Sequence, residues 1–337
     1  MTKIDIFNHI FPKSYFNKMV KVAPNEKDIH KRVRNVPSIV NLEERFRIMD
    51  LFDEYVQVIC LGAPPIEVFG HPPISTEMAK LANDGMAELV QKYPNRFVGF
   101  IASPPMNDPD GLLQETNRAI KELGAVGVQV FTNVLGQPLT RPETMPLFDL
   151  MAKLDRPIWI HPARGADFPD YKGESKSHYE IWWTFGWPYE TSVAMAHLVF
   201  SGLFDWIPDI KIITHHMGGM IPYFEGRVGP GWDQLGTRTS DEDYTLLLKK
   251  LKKRPLDYFH LFYADTALFG AREATICGLK FFGPERVLFG SDMPFDPEKG
   301  SAYIRWTIEI IDRLDIKTDE RQAIYEGNAK RLLKLNI

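Results

Sequence analysis

Pro157-Ile158-Trp159-Ile160-His161-Pro162 sets how the rest of the chain reads. A short run of large apolar residues ends in a histidine, and a proline then stops it. A strand buried on both faces is nearly continuous in hydrophobicity, as in a parallel sheet. A histidine at its exit is a chemical group delivered at a strand end. Seven further runs of the same kind, rich in Val, Ile and Phe, lie at 3–7, 55–61, 97–102, 127–131, 210–214, 260–264 and 286–289. Helix-like apolar spacing fills the intervals at 75–92, 108–123, 144–154, 188–204, 272–281, 303–314 and 318–335. Ser75, Asp108 and Thr318 stand where N-caps belong. Eight strand–helix units in series predict the α/β class and a closed (β/α)8 TIM barrel. A doubly wound open sheet is the structural rival.

The 337 residues suit one barrel domain, since the fold needs about 250 and accepts insertions. We expect a single domain over 1–337 with an insertion at about 163–187. Three connections are long: 12–37, 162–187 and 229–255. In a barrel they lie on the C-terminal face, where loops carry function. The middle one holds Trp182, Trp183, Phe185 and Trp187, which reads equally as a substrate wall or as a small core pinning the loop.

Composition excludes several classes. Lys and Arg number 40 against 44 Asp and Glu, a formal charge of -4, which leaves no basic footprint for nucleic acid. No apolar run approaches the ~20 residues of a membrane span. The opening Met1-Thr2-Lys3-Ile4-Asp5 shows no cleavable leader, and two cysteines, Cys60 and Cys277, make neither a disulfide framework nor a thiolate metal site. A cytoplasmic protein is expected.

Metal-type side chains gather at the strand exits. His9 follows the first run, His161 the fifth, His215 and His216 the sixth, Asp265 the seventh and Asp292 the eighth. In a barrel these exits converge on one cavity. Neutral imidazoles and carboxylates are the donors a divalent ion such as zinc takes. The ion in turn acidifies a bound water or polarises a substrate oxygen.

With these residues in view the chain resembles the amidohydrolase superfamily, within it the aminocarboxymuconate-semialdehyde decarboxylase-like branch, essentially end to end. Ile4-Asp5-Ile6-Phe7-Asn8-His9-Ile10-Phe11-Pro12 is similar to that branch's Ile-Asp-x-His-x-His-x-x-Pro opening. Arg45-Phe46-Arg47-Ile48-Met49-Asp50, Ile160-His161-Pro162, His215-His216-Met217-Gly218-Gly219-Met220-Ile221-Pro222 with Glu225-Gly226-Arg227, Phe289-Gly290-Ser291-Asp292-Met293-Pro294-Phe295 and Gly327-Asn328-Ala329-Lys330-Arg331-Leu332-Leu333 continue the match in order. The resemblance implies that His9, His161 and Asp292 ligate a divalent metal, zinc or alternatively manganese. It implies His216 as the acid/base group and Arg47 as the holder of a substrate carboxylate. It implies an Arg227 that reaches a neighbouring subunit's site, and hence a homodimer.

One departure stands out. Phe7 occupies the position of the first histidine of the His-x-His pair, and Asn8 points to the other side of the strand. Three outcomes stay open: a metal on the three remaining ligands, weak binding, or a metal-free site. His215 and His216 are neighbours on a strand, so one is expected to face the cavity, His216, and the other to lie under a helix. Asp265 is open between the site and a cap of the next turn, and His178 is a candidate substrate contact. The reaction expected is non-oxidative decarboxylation of a small aromatic or unsaturated carboxylic acid, with Asp292 also moving a proton. The rivals are hydrolysis or hydration at the same site, and a degenerate barrel that only binds.

Overall fold

The structure, a computed structural model, describes residues 1–24, 29–239 and 241–337. Residues 25–28 and 240, which fall in the first and third long connections, lie outside the described residues. Eight parallel strands form one sheet in chain order: β1 (Lys3–Asp5), β2 (Tyr55–Ile59), β3 (Phe97–Ala102), β4 (Gly127–Phe131), β5 (Ile158–His161), β6 (Ile212–Thr214), β7 (Tyr263–Asp265) and β8 (Val287–Leu288). The register runs Ile4↔Val56, Val128↔Ile158, Trp159↔Ile213, Thr214↔Ala264 and Val287↔Ala264. The barrel closes between β8 and β1, where Ile6 N donates to Phe289 O at 3.0 Å and Asp292 N to Phe7 O at 2.8 Å.

A buried carboxylate stitches that seam. Asp5 accepts from Ser291 N at 3.1 Å, from the Ser291 hydroxyl at 2.5 Å and from Tyr55. Burial opposes its charge more than these bonds favour it, so its pKa is pushed up to about 6.

The barrel interior is filled by Ile4, Val58, Ile101, Trp159, Ile213 and Leu288, one from each of six strands. Trp159 fits because Gly127 has no side chain: a Cβ there would lie 2.5 Å from the indole. The closing helix Asn328–Leu333 plugs the N-terminal end, tied by Arg156, which donates to Leu333 O at 2.6 Å. A second, larger apolar layer lies between sheet and helices.

The helices follow the predicted spacing with shifted ends. Asp108 caps Pro109–Lys121 as expected, its carboxylate accepting from Gly111 N. Ser75 and Thr318 do not cap: helix Ile74–Lys92 starts one residue earlier and buries Ser75, and Thr318 is already helical, with Glu320 accepting from Lys317 N. The run at 260–264 enters the sheet late, because Pro255 opens the helix Pro255–Phe259 and His260 ends it.

Candidate active site

The site is assembled at the C-terminal ends of β1, β5, β6, β7 and β8. His9 is fully buried; its Nδ1 bonds Leu61 O at 3.0 Å, which leaves Nε2 against Asp292 Oδ1 at 2.9 Å. His161 has Nδ1 on Pro162 O at 2.7 Å. Its ring centroid is 5.2 Å from those of both His9 and His215. His216 places Nε2 3.6 Å from Asp292 Oδ2.

The backbone aims these groups. His216 and Asp292 both sit in the left-handed region, at φ 52° and 64°, which non-glycine residues avoid and functional sites tolerate. Met217 shares the conformation at φ 53° and is held by a close fit: a Cβ on Gly278 would come within 2.0 Å of its Cγ.

That turn corrects one expectation. His215 is still extended and falls on the same side as Ile213, the barrel interior, while His216 turns to φ 52°, so both rings stand beside Asp292. Instead of lying under a helix, His215 is fully buried beside Asp292, with Nε2 3.5 Å from Oδ1. Its Nδ1 bonds Asp265. Asp265 therefore fills both roles left open for it, since its other oxygen accepts from Ala267 N at 2.9 Å.

Electrostatics in the cluster follow from burial and mutual charge. Burial disfavours a charged His161, and the charges of His215 and His9 push it further down, so it is neutral. His216 is lowered by burial and by His215. Burial opposes the charge of His215 too, but the Asp265 and Asp292 carboxylates outweigh it and hold the group up at about 9. Burial likewise opposes the Asp292 charge, yet the nearby His215 and His216 rings and the hydrogen bond with His9 keep the carboxyl well below its usual range. The cluster therefore favours positive charge between its carboxylates.

A divalent ion fits this donor set. The ligating atoms of His9, His161 and His215 lie within 4.8 Å of one another, as do those of His215, His216 and Asp292. Nε2 of His215 and both ring nitrogens of His216 are buried and make no hydrogen bond among the described residues. Such atoms call for a partner.

Arg47 stands apart from the place expected of it. Arg47 lies on the outer face of helix Leu42–Met49, its side chain 63% exposed and held by Glu44 at 2.6 Å, outside the cavity. Arg45, two positions earlier, is the buried one. It donates to His9 O at 2.7 Å, Asn8 Oδ1 at 2.6 Å and Gln57 Oε1 at 2.8 Å, and burial pulls it down to about 10. It braces the backbone that carries His9. Arg227 is exposed on the segment after β6.

Above Asp292 opens a cavity of about 580 Å³ walled by Trp182, Trp183, Trp187, Phe295 and Tyr303, with Lys31 and Arg32 at its rim. Phe269 stacks on Tyr303 and Trp183 and meets His216 edge-on at 5.3 Å. The Trp-rich segment serves both readings: Trp182 and Trp187 pack with Phe131 and Ala63, and both also face the cavity. His178 is exposed, its ring tilted against that of Tyr179 at 6.0 Å; Ser177 and Glu180 line the cavity in its place. Arg32 and Phe269 carried no periodic or spacing signal, so sequence reasoning did not single them out. Among the described residues no helix is long and apolar enough to cross a membrane.

The amidohydrolase family pattern matches residues 40–335. The gamma-resorcylate decarboxylase of Polaromonas sp. strain JS666 is 32% identical over 308 residues, 87% of this chain and 87% of that protein. The 2-amino-3-carboxymuconate-6-semialdehyde decarboxylase of Dictyostelium discoideum is 29% identical over 352 residues, 99% of this chain and 92% of that one. Among solved structures, a dihydroxybenzoic acid decarboxylase from Polaromonas sp. JS666, with bound manganese and the inhibitor 2-nitroresorcinol, has a TM-score of 0.79 at 27% identity, covering 100% of this chain and 98% of that one.

Proposed function

Because the chain belongs to the amidohydrolase family, we propose that it is a metal-dependent, non-oxidative decarboxylase of a small aromatic or unsaturated carboxylic acid, a carbon–carbon lyase. One observation carries this reading: Asp292, flanked by His9 and His216, lines an aromatic-walled cavity with cations at its mouth. Flat walls suit a conjugated substrate, and the cations suit its carboxylate.

His9, His161 and Asp292 would hold the ion, zinc or manganese. When bound, it polarises a substrate oxygen. The chain's own residues do the rest. The Trp183–Phe269–Tyr303 stack orients the ring, and the Trp-rich segment excludes water. Lys31 and Arg32 draw in the acid. His216, whose imidazolium is disfavoured by burial, gives its proton readily from Nε2 to the carbon that bears the carboxylate. The carbon–carboxylate bond then breaks, its electron pair restores the conjugation, carbon dioxide leaves, and water reprotonates the imidazole. Asp292, 3.6 Å from His216, steadies the charged form.

We also take residues 1–337 as one catalytic domain with its insertion at about 163–187, working as a cytoplasmic homodimer. The free thiols of Cys60 and Cys277 support the compartment, and the exposed Arg227 supports an interface role. The test is carbon dioxide release by the metal-loaded protein from gamma-resorcylate and from 2-amino-3-carboxymuconate-6-semialdehyde. His216→Ala should slow it about 100- to 10,000-fold. Hydration or hydrolysis without carbon dioxide would overturn the decarboxylase reading.

A further inference from the structure

We infer that His215 is a protein ligand of the metal, taking over from the end of a non-neighbouring strand the coordination that Phe7 cannot provide. The inference rests on the reading of a divalent ion at this site and adds a ligand to it.

Four observations meet here. First, His215 is shared: it belongs to the His9–His161–His215 group and to the His215–His216–Asp292 group, each compact enough for one ion. It is the residue that joins His161 to Asp292. Second, its ring is aimed. Asp265 occupies Nδ1, which leaves Nε2 as the ligating atom, fully buried and without a hydrogen bond among the described residues. His9 and His161 are arranged alike, with Nδ1 on Leu61 O and Pro162 O. Metal-ligating histidines show this pattern, with the far nitrogen fixed by a carboxylate or carbonyl.

Third, Phe7 holds the ring plane. The phenyl lies parallel to the His215 imidazole at 3.6 Å and 6°. Phe7 lies two residues past the end of β1 and His215 directly follows β6, strands that are not neighbours in the barrel. Fourth, the site stays compact without position 7, because Asp292 Oδ1 lies 2.9 Å from His9 Nε2 and 3.5 Å from His215 Nε2. The donor set becomes three imidazoles and one carboxylate, with His216 left free to carry protons.

The experiment uses the full chain loaded with zinc. X-ray absorption at the zinc edge counts the imidazoles. Three are expected in the wild type, three in His216→Ala and two in His215→Ala. Competition with a chromophoric chelator gives the affinity. His215→Ala should lose more than about 100-fold, beyond the 10- to 100-fold that removing a merely orienting neighbour costs. The exchange variant Phe7→His/His215→Phe should recover most of that loss. Two imidazoles in the wild type, or a His215→Ala loss below about 100-fold, would overturn the assignment. The wild-type count needs no variant to fold. A two-imidazole protein that releases carbon dioxide sinks this inference alone. A three-imidazole protein that releases none sinks the decarboxylase reading alone. A wild type that binds no divalent ion overturns both.

Discussion

Phe7 lies flat against His215, ring centroids 3.6 Å apart, both side chains fully buried where β1 and β6 end. A phenyl thus stands where the resemblance leads one to expect a ligand, and it packs on a histidine expected to face away. The contact links the core of the barrel to its chemistry.

Phe7→Ala removes that wall and leaves a hole that Gly290 and the neighbouring backbone cannot fill. Large-to-small changes of this kind cost about 3–5 kcal/mol. Denaturant unfolding should show a loss of that order, with the metal held less tightly because the His215 ring can tilt. An unchanged unfolding midpoint would mean the contact contributes little.

Asp265→Asn keeps the shape and the acceptor for Ala267 N but removes the charge that holds His215 Nδ1. Asp265 is a positioning residue, so metal affinity should fall about 10- to 100-fold. The melting temperature with metal omitted should change far less. Equal affinity in the mutant and the wild type would show that the carboxylate does not orient the ring.

Arg32→Ala and Arg47→Ala should separate cleanly. Arg47 points to solvent beside Glu44, so its loss should leave turnover unchanged. Arg32 lines the cavity and is anchored on Phe295 O, so its loss should raise KM about tenfold or more with kcat little altered, as removing uniform binding does. The reverse ranking would return the carboxylate clamp to Arg47.

Glu67 is buried, one of its oxygens makes no hydrogen bond among the described residues, and burial pushes its pKa from 4.5 up to about 7. Below about pH 4.5 it is protonated whether the chain is folded or unfolded, and the fold bears no cost. Between there and pH 7 the unfolded chain ionises while the folded one holds its proton, so stability falls as pH rises and levels off above pH 7. The full loss is on the order of 3 kcal/mol. Glu67→Gln should flatten this part of the pH–stability curve and melt a few degrees higher than wild type at pH 8. Parallel curves for mutant and wild type would refute it.

The barrel was legible because eight apolar runs of strand length alternate with helical spacing, and a parallel sheet buried on both faces has few other ways to appear in a sequence. Chain order was enough to place His9, His161, His216 and Asp292 at strand exits, since consecutive strands become neighbours in a barrel. Arg45 and Arg47 show where this stops. Two positions on a helix point about 200° apart, so one must face in and one out, and the periodicity of an eight-residue helix does not say which.

What the sequence determined by itself was the order of the strands, the chemistry at their ends and the absence of a ligand at Phe7. What only the tertiary structure decided was that His216 turns inward beside His215, and the source of the cavity's cations. The reason is physical. Side-chain alternation holds only while the backbone stays extended: it carries His215 inward with Ile213 and ends at His216, which turns to φ 52° and stands beside Asp292 as well. Lys31 and Arg32 reach the rim through a connection whose path depends on packing against distant loops, which no local pattern encodes.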